Sequence, residues 1–226
     1  MRNMGILLLF LILSTSSVSQ PLAIINDPDG YTNVRKGPGS NFEIVSKIYD
    51  NEIFVTDGQI DGWFLVYKIS DSYLEGYMHN SRVLPLEQLE KIGNSIARNK
   101  IQNINDETIN LTIKQIEFVK SNHNYELQDN KWVIKIDGSS PYGVDGGYPQ
   151  FEIEEITLNI DGVAINFPKT AYSDLYNNNN GDIEIRIKDK DTYFINMANN
   201  SDGAGYYNTV WIIKDKKYLK RYVIQI

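Results

Sequence analysis

The stretch Asn33-Val34-Arg35-Lys36-Gly37-Pro38-Gly39-Ser40 decides how this chain begins to fold, together with Asp61-Gly62-Trp63-Phe64-Leu65-Val66-Tyr67 and Glu75-Gly76-Tyr77-Met78-His79-Asn80-Ser81-Arg82-Val83-Leu84. Each piece joins a short apolar run to a glycine break. Gly37 and Gly39 permit a tight loop that a side chain would obstruct, and Pro38 stiffens it. Asp61-Gly62 suits a hairpin, because both residues tolerate positive φ. Gly76 leaves room for close approach beneath a large aromatic such as Trp63. Working outward, Asp27-Pro28-Asp29-Gly30 reads as a turn, and Ile44-Val45-Ser46-Lys47-Ile48 and Glu52-Ile53-Phe54-Val55-Thr56 read as strands. Turn signals recur about every 8–12 positions across residues 23–86, the pattern of a small β-barrel or sandwich.

These segments resemble the bacterial SH3-type domain. That family's pattern is an N-V-R-x-G-P-G loop, a G-W-x-x-V strand and a G-W/Y-V/M strand that ends the barrel. All three occur in order here, with Tyr77 where Trp is commoner and Ile69-Ser70-Asp71-Ser72-Tyr73 lengthening one hairpin. The resemblance implies an SH3-like barrel over residues 23–86. It also implies binding of cell-wall peptide or glycan, or of a protein partner, in a groove lined by aromatic side chains. Tyr31, Phe42, Trp63, Tyr67 and Tyr77 are the rings available for that groove. A flat ring offers a large contact area with little entropy to lose. Alternation places Trp63, Leu65 and Tyr67 on one face of a strand and Phe64 and Val66 on the other.

The rest of the chain must be read without such help. At 226 residues, and about 150 residues per domain, it holds one or two domains. Residues 1–19 read as a secretory signal: Arg2, the apolar run Gly5-Ile6-Leu7-Leu8-Leu9-Phe10-Leu11-Ile12-Leu13, then Ser17 and Ser19 before a cleavage at Gln20. That run is too short for a membrane span of roughly 20 residues. The expected protein is therefore exported, periplasmic or secreted, with no membrane association after cleavage. The net charge of −7 becomes −8 without Arg2. Such a balance argues against nucleic acid and anionic membranes, which need clustered Lys and Arg. It suits a Gram-negative periplasm better than a wall of anionic polymers. The chain has no Cys, which removes disulfides, thiolate metal sites and Cys nucleophiles.

Residues 87–108 read as a helical connector, because Leu86, Leu89, Ile92 and Ile96 follow Pro85 at roughly helical spacing. Residues 109–226 read as a β-rich, sandwich-like domain of unknown function. Ile109, Leu111 and Ile113 alternate, and Ile116 and Phe118 resume on the other parity, which marks a bulge; a helix over 108–119 is the alternative. Trp132-Val133-Ile134-Lys135-Ile136 is a strand, and residues 152–160 and 163–167 form a hairpin about Asp161-Gly162. Residues 182–187, 193–197, 209–214 and 220–226 complete the set. Gly-rich segments at 137–149 and 200–207 resemble parts of exported Bacteroidetes proteins in which such a domain follows an SH3-type one. That resemblance implies no activity.

Catalytic chemistry finds little support. A zinc amidase needs at least two His and a carboxylate, whereas His79 falls in the SH3-type motif and His123 reads as a polar loop residue. No G-x-S-x-G elbow exists. Glu152 with Glu154, or Asp137 with Asp145, are the carboxylate pairs a glycosidase would need; the three glutamates 152, 154 and 155 read more simply as a solvent face. Acidic loops at Asp27, Asp29, Asp137, Asp145 and Asp202 lack the D-x-[DN]-x-[DN]-G spacing of a calcium loop and read as turns. The expectation is a non-enzymatic binding protein without cofactor or metal, its partner peptidoglycan or an envelope protein. Two alternatives stand beside it: an envelope inhibitor of a hydrolase or toxin, and a carboxylate-dependent hydrolase in the C-terminal domain.

Overall fold

The computed structural model describes residues 21–69, 74–178, 181–199, 201 and 203–225. The expected signal at 1–19 and Asp202 of one acidic loop lie outside the described residues. Strands dominate the rest, and the only helical pieces among the described residues are four 3-10 turns of three residues each.

The N-terminal domain is one antiparallel sheet of seven strands: β1 (Leu22–Ile25), β2 (Tyr31–Arg35), β3 (Ile44–Tyr49), β4 (Phe54–Ile60), β5 (Trp63–Lys68), β6 (Leu74–His79) and β7 (Val83–Pro85). Their order is β3-β2-β6-β5-β4-β1-β7. Every strand sends a side chain to a common core of Ala23, Ile25, Val34, Ile48, Phe54, Val66, Met78 and Val83. The sheet thus coils around its core, as right-handed twist favours, but β3 and β7 remain unjoined edges. This corrects the expected closed barrel. At Asp61-Gly62 the hairpin forms as the dipeptide dictates, with φ of 48° and 82°. The role of Gly76 also differs from expectation. Gly76 pairs with core-facing Val66, whereas Trp63 lies an odd number of residues away and faces outward. A Cβ on Gly76 would sit 2.6 Å from the Arg35 carbonyl oxygen and 2.6 Å from Val34. It is β2, not an aromatic ring, that passes close there.

The C-terminal domain is a sandwich. Its strands are β8 (Glu90–Ile92), β9 (Ser95–Arg98), β10 (Ile101–Asn105), β11 (Ile109–Glu117), β12 (Tyr125–Gln128), β13 (Trp132–Ile136), β14 (Phe151–Ile160), β15 (Val163–Ile165), β16 (Ile183–Asp189), β17 (Thr192–Ala198), β18 (Asn208–Lys214) and β19 (Lys217–Ile224). One sheet runs β15-β14-β11-β10-β9 and the other β19-β18-β17-β16-β8, while β12 and β13 pair separately. Isoleucine-rich inner faces of both sheets meet in one core, with Trp211 fully buried at its centre and its indole N–H donating to the Ala171 carbonyl at 2.8 Å. The expected bulge exists, but on β14: the register slips opposite Lys114 and Gln115, so Ile153 and Ile156 both point inward. Ile116 stays exposed on β11.

The helical connector over 87–108 is overturned. Leu86 opens a 3-10 turn that ends at Leu89, Ile92 lies on β8, and Ile96 lies on β9 with 57% of its surface exposed. Gly93, at φ 63°, turns the chain between the two strands. β8 then joins one sheet of the sandwich and β9 the other, so this stretch closes the C-terminal domain.

The two domains share a hydrophobic seam. Ile24 and Ile53 from the first, Leu86 and Leu89 from the junction, and Phe194, Val210 and Ile212 from β17 and β18 form one buried cluster. Trp211 and Ile213 point the opposite way, into the sandwich core. Thr209 to Ile213 are consequently all buried, as expected of a strand covered on both faces.

Candidate functional site

Alternation along β2, β5 and β6 sends Tyr31, Asn33, Arg35, Trp63 and His79 to the outer face of the N-terminal sheet. There they line an open groove of about 780 Å³ between the 39–41 loop, the Asp27–Asp29 turn and the 79–82 turn. Trp63 forms one wall, with His79 edge-on at 5.3 Å between ring centres. Tyr31 forms another, its ring covered by Lys47 at 3.8 Å and flanked by Tyr49. Asp27 and Asp29 bring negative charge to the same groove, Arg35 and Arg82 positive charge. Asp27 is largely engaged in holding its own turn: it pairs with Arg82 at 3.1 Å and accepts from the Thr32 hydroxyl at 2.9 Å and the Asp29 amide at 3.2 Å. The carboxylate thus does the work of a turn, as its sequence context indicates.

Of the five aromatics singled out in the sequence, Tyr31 and Trp63 meet in the groove and three do not. Phe42 is 42% exposed, and its ring lies against Gly37 and Gly39, where a Cβ at Gly37 would come within 2.5 Å of it. Its carbonyl accepts from the Arg35 guanidinium at 2.7 Å. Phe42 therefore shapes the loop rather than the groove. Tyr67 and Tyr77 are diagonal neighbours farther along β5 and β6, outside the lining. Burial first, then the charges of Asp57 and Glu75, push the Tyr67 hydroxyl above its ordinary pKa. Asn33, Arg35 and His79 are lining residues that sequence reasoning passed over. Period-two spacing from Tyr31 and Tyr77 is the signal that places them.

A second cluster surrounds His123. Its Nδ1 lies 2.7 Å from Asp137 and its Nε2 3.3 Å from Glu152, and the ring stacks on Phe118 at 4.4 Å. This corrects the reading of Glu152, Glu154 and Glu155 as one solvent face. Glu152 turns to His123, Glu154 to Lys114 at 2.5 Å, and of the three only Glu155 is exposed. The cluster ties the β12–β13 hairpin to β14. Both ring nitrogens are thus engaged by carboxylates of the cluster itself. Among the described residues, no group of three or more His, Asp and Glu side chains converges as a metal site.

Burial by itself would lower the His123 pKa, but Asp137 and Glu152 outweigh it and raise the value above 6.5. His123 in turn draws the Asp137 carboxyl below 3.8. Linkage then sets a window. The His123 contribution to stability is complete below pH 6.5 and is lost as pH rises through its raised folded value. The Asp137 contribution is present above pH 3.8 and is lost as pH falls through its depressed value. Thermal melts of wild type should therefore decline on both sides of pH 4–6.5, and His123→Gln should lack the alkaline decline. An alkaline limb unchanged in His123→Gln would assign it to another group.

Residues 30–83 match the family model for the bacterial SH3 domain. The N-terminal part of the chain is thus a bacterial SH3 domain, a class whose members typically bind cell-wall or protein partners. β1 lies outside the matched segment and β7 lies at its margin; Leu22, Ile24 and Leu84 on these two strands belong to the interdomain seam. No curated protein and no solved structure matches the chain. No helix among the described residues is long and apolar enough to cross a membrane.

Proposed function

We propose that this is an exported, non-enzymatic binding protein whose SH3 groove takes a short cell-wall peptide bearing both ammonium and carboxylate groups. The observation that carries this reading is the meeting of aromatic walls and both signs of charge in one groove. Trp63 and Tyr31 supply flat apolar surface, Arg35 retains N–H donors beyond the one used on Phe42, and Asp29 supplies an acceptor. Wall peptides carry free amines and carboxylates on short, flexible chains, and a groove with both signs selects that combination over a singly charged ligand. The engagement of both His123 ring nitrogens within their own cluster and the dispersal of Glu152 and Glu154 to separate partners favour binding over hydrolysis.

Co-sedimentation with purified peptidoglycan sacculi tests the reading. The wild type should pellet at moderate salt. Trp63→Ala should weaken binding by about 2 kcal/mol or more, roughly 30-fold, as a buried aromatic anchor does, and Arg35→Ala should weaken it as well. Failure of the wild type to pellet, or undiminished pelleting of both variants, would sink the proposal.

A further inference from the structure

The sandwich carries a cleft of its own, also about 780 Å³, at the side where β8 turns into β9. Its floor is the outer face of β16, β17 and β18, where Glu184 pairs with Asn196 and Asn208 lies diagonally beyond, opposite Ala198. Lys91, Ser95 and Tyr206 form the walls. A smaller recess that also includes Glu184, Asn196 and Asn208 continues it toward Leu22 and Leu86 at the domain seam.

The side-chain carbonyl oxygens of Asn196 and Asn208 are both buried, and neither has a hydrogen-bond partner among the described residues. Buried amide oxygens are normally paired, and turning an amide about its last torsion exchanges its acceptor for a donor pair. The floor therefore offers two adaptable amides that the protein leaves unmatched. The charges near them are already balanced. Glu184 lies 2.8 Å from Arg186 and 3.7 Å from Lys91, and Arg186 also donates to the Glu87 and Leu89 carbonyls at 2.9 Å. Among the described residues no uncommitted cation lines the cleft to hold a phosphate or carboxylate, and Asp182 at its edge would repel one. An apolar ligand would find polar walls. What fits amides, a serine hydroxyl and one half-buried tyrosine is a chain of hydroxyl groups, each able to donate and accept, with a C–H face to lie on the ring. The volume lies within the ~300–1,000 Å³ of small-molecule sites.

We infer that this cleft binds a neutral oligosaccharide, with Asn196 and Asn208 as its hydrogen-bonding floor and Tyr206 as its stacking wall. The site is separate from the SH3 groove, and its existence does not depend on what that groove binds.

The test uses the two-domain protein and three neutral probes: chitotetraose, cellotetraose and maltotetraose. At least one should give saturable shifts of the Asn196 and Asn208 side-chain amide resonances at millimolar concentration. Ser95→Trp fills the mouth from an exposed edge strand, so it should weaken that binding at least tenfold while leaving the melting temperature unchanged. Asn196→Ala should weaken it too, and Trp63→Ala, in the other domain, should leave it intact. The inference is overturned if none of the three sugars binds, if binding persists in Ser95→Trp, or if Trp63→Ala abolishes it. The last outcome would move the sugar to the SH3 groove.

Discussion

Phe194→Ala is expected to cost about 3–5 kcal/mol and to lower the melting temperature by about 10 °C, at ~2–4 °C per kcal/mol for a chain of this size. Phe194 has no exposed surface and stands where β17 meets the SH3 domain, against the cluster of Ile24, Ile53, Leu86 and Leu89. Its removal leaves a void on the side of the sheet away from the sandwich core. The damage should fall on the coupling between domains rather than on either interior. Calorimetry distinguishes the two: wild type should unfold in one transition, and Phe194→Ala should begin to separate into two. A wild type that already melts in two steps, or a variant with an unshifted melting temperature, would contradict the continuous seam.

The second large effect concerns where the chain can be cut. A fragment of residues 109–226 is expected not to fold. It lacks β10, which pairs with β11 over five residues from Ile101↔Lys114 to Asn105↔Asn110 and buries Ile104. It also lacks β8, the partner of β16, and β9, the edge beyond β10. Both sheets would end on bare inner strands, which invite edge-to-edge association. Residues 87–226 keep every sandwich strand but uncover Phe194, Val210 and Ile212, and should fold yet self-associate. Near-ultraviolet dichroism, which reports packing around Trp211, and size-exclusion chromatography read both outcomes. A monomeric, cooperatively folded 109–226 would show that β8–β10 are accessory.

The SH3 domain was legible because its signals are local. Asp61-Gly62 imposes a turn by its own positive φ, and Gly37, Gly39 and Gly76 mark in the sequence the places where Phe42 and β2 come too close for a side chain. Most sandwich strands were legible for a related reason: the hairpin at Asp161-Gly162 adopts φ of 50° and 78°, and apolar residues alternate from Ile109 to Ile113 in β11 and from Ile156 to Ile160 in β14. The connector was misread because Leu86, Leu89 and Ile92 imitate a helical stripe while serving separate purposes. Two cover the seam and one enters the sandwich. Gly93 between Ile92 and Asn94 was the local sign of a turn. The groove was half legible. Trp63 and Tyr31 came from residue type, whereas Arg35, Asn33 and His79 depend on which strands lie side by side. That pairing, β2 beside β6 beside β5, is not written in any short segment. The Asn196–Asn208 floor was not legible at all, since it joins residues of two strands by register alone.

Strands β17 and β18 form a party wall, with the sandwich core on one side and the seam on the other. Tension applied to a protein held by its SH3 groove would reach the sandwich through interlocked side chains across that wall, not along a slack tether. Ile24 and Ile53 would bear on Phe194 and Ile212 in shear, and the groove and the sandwich cleft would keep their separation and orientation under load. A ligand lattice with a fixed repeat would then meet a bivalent reader of fixed gauge.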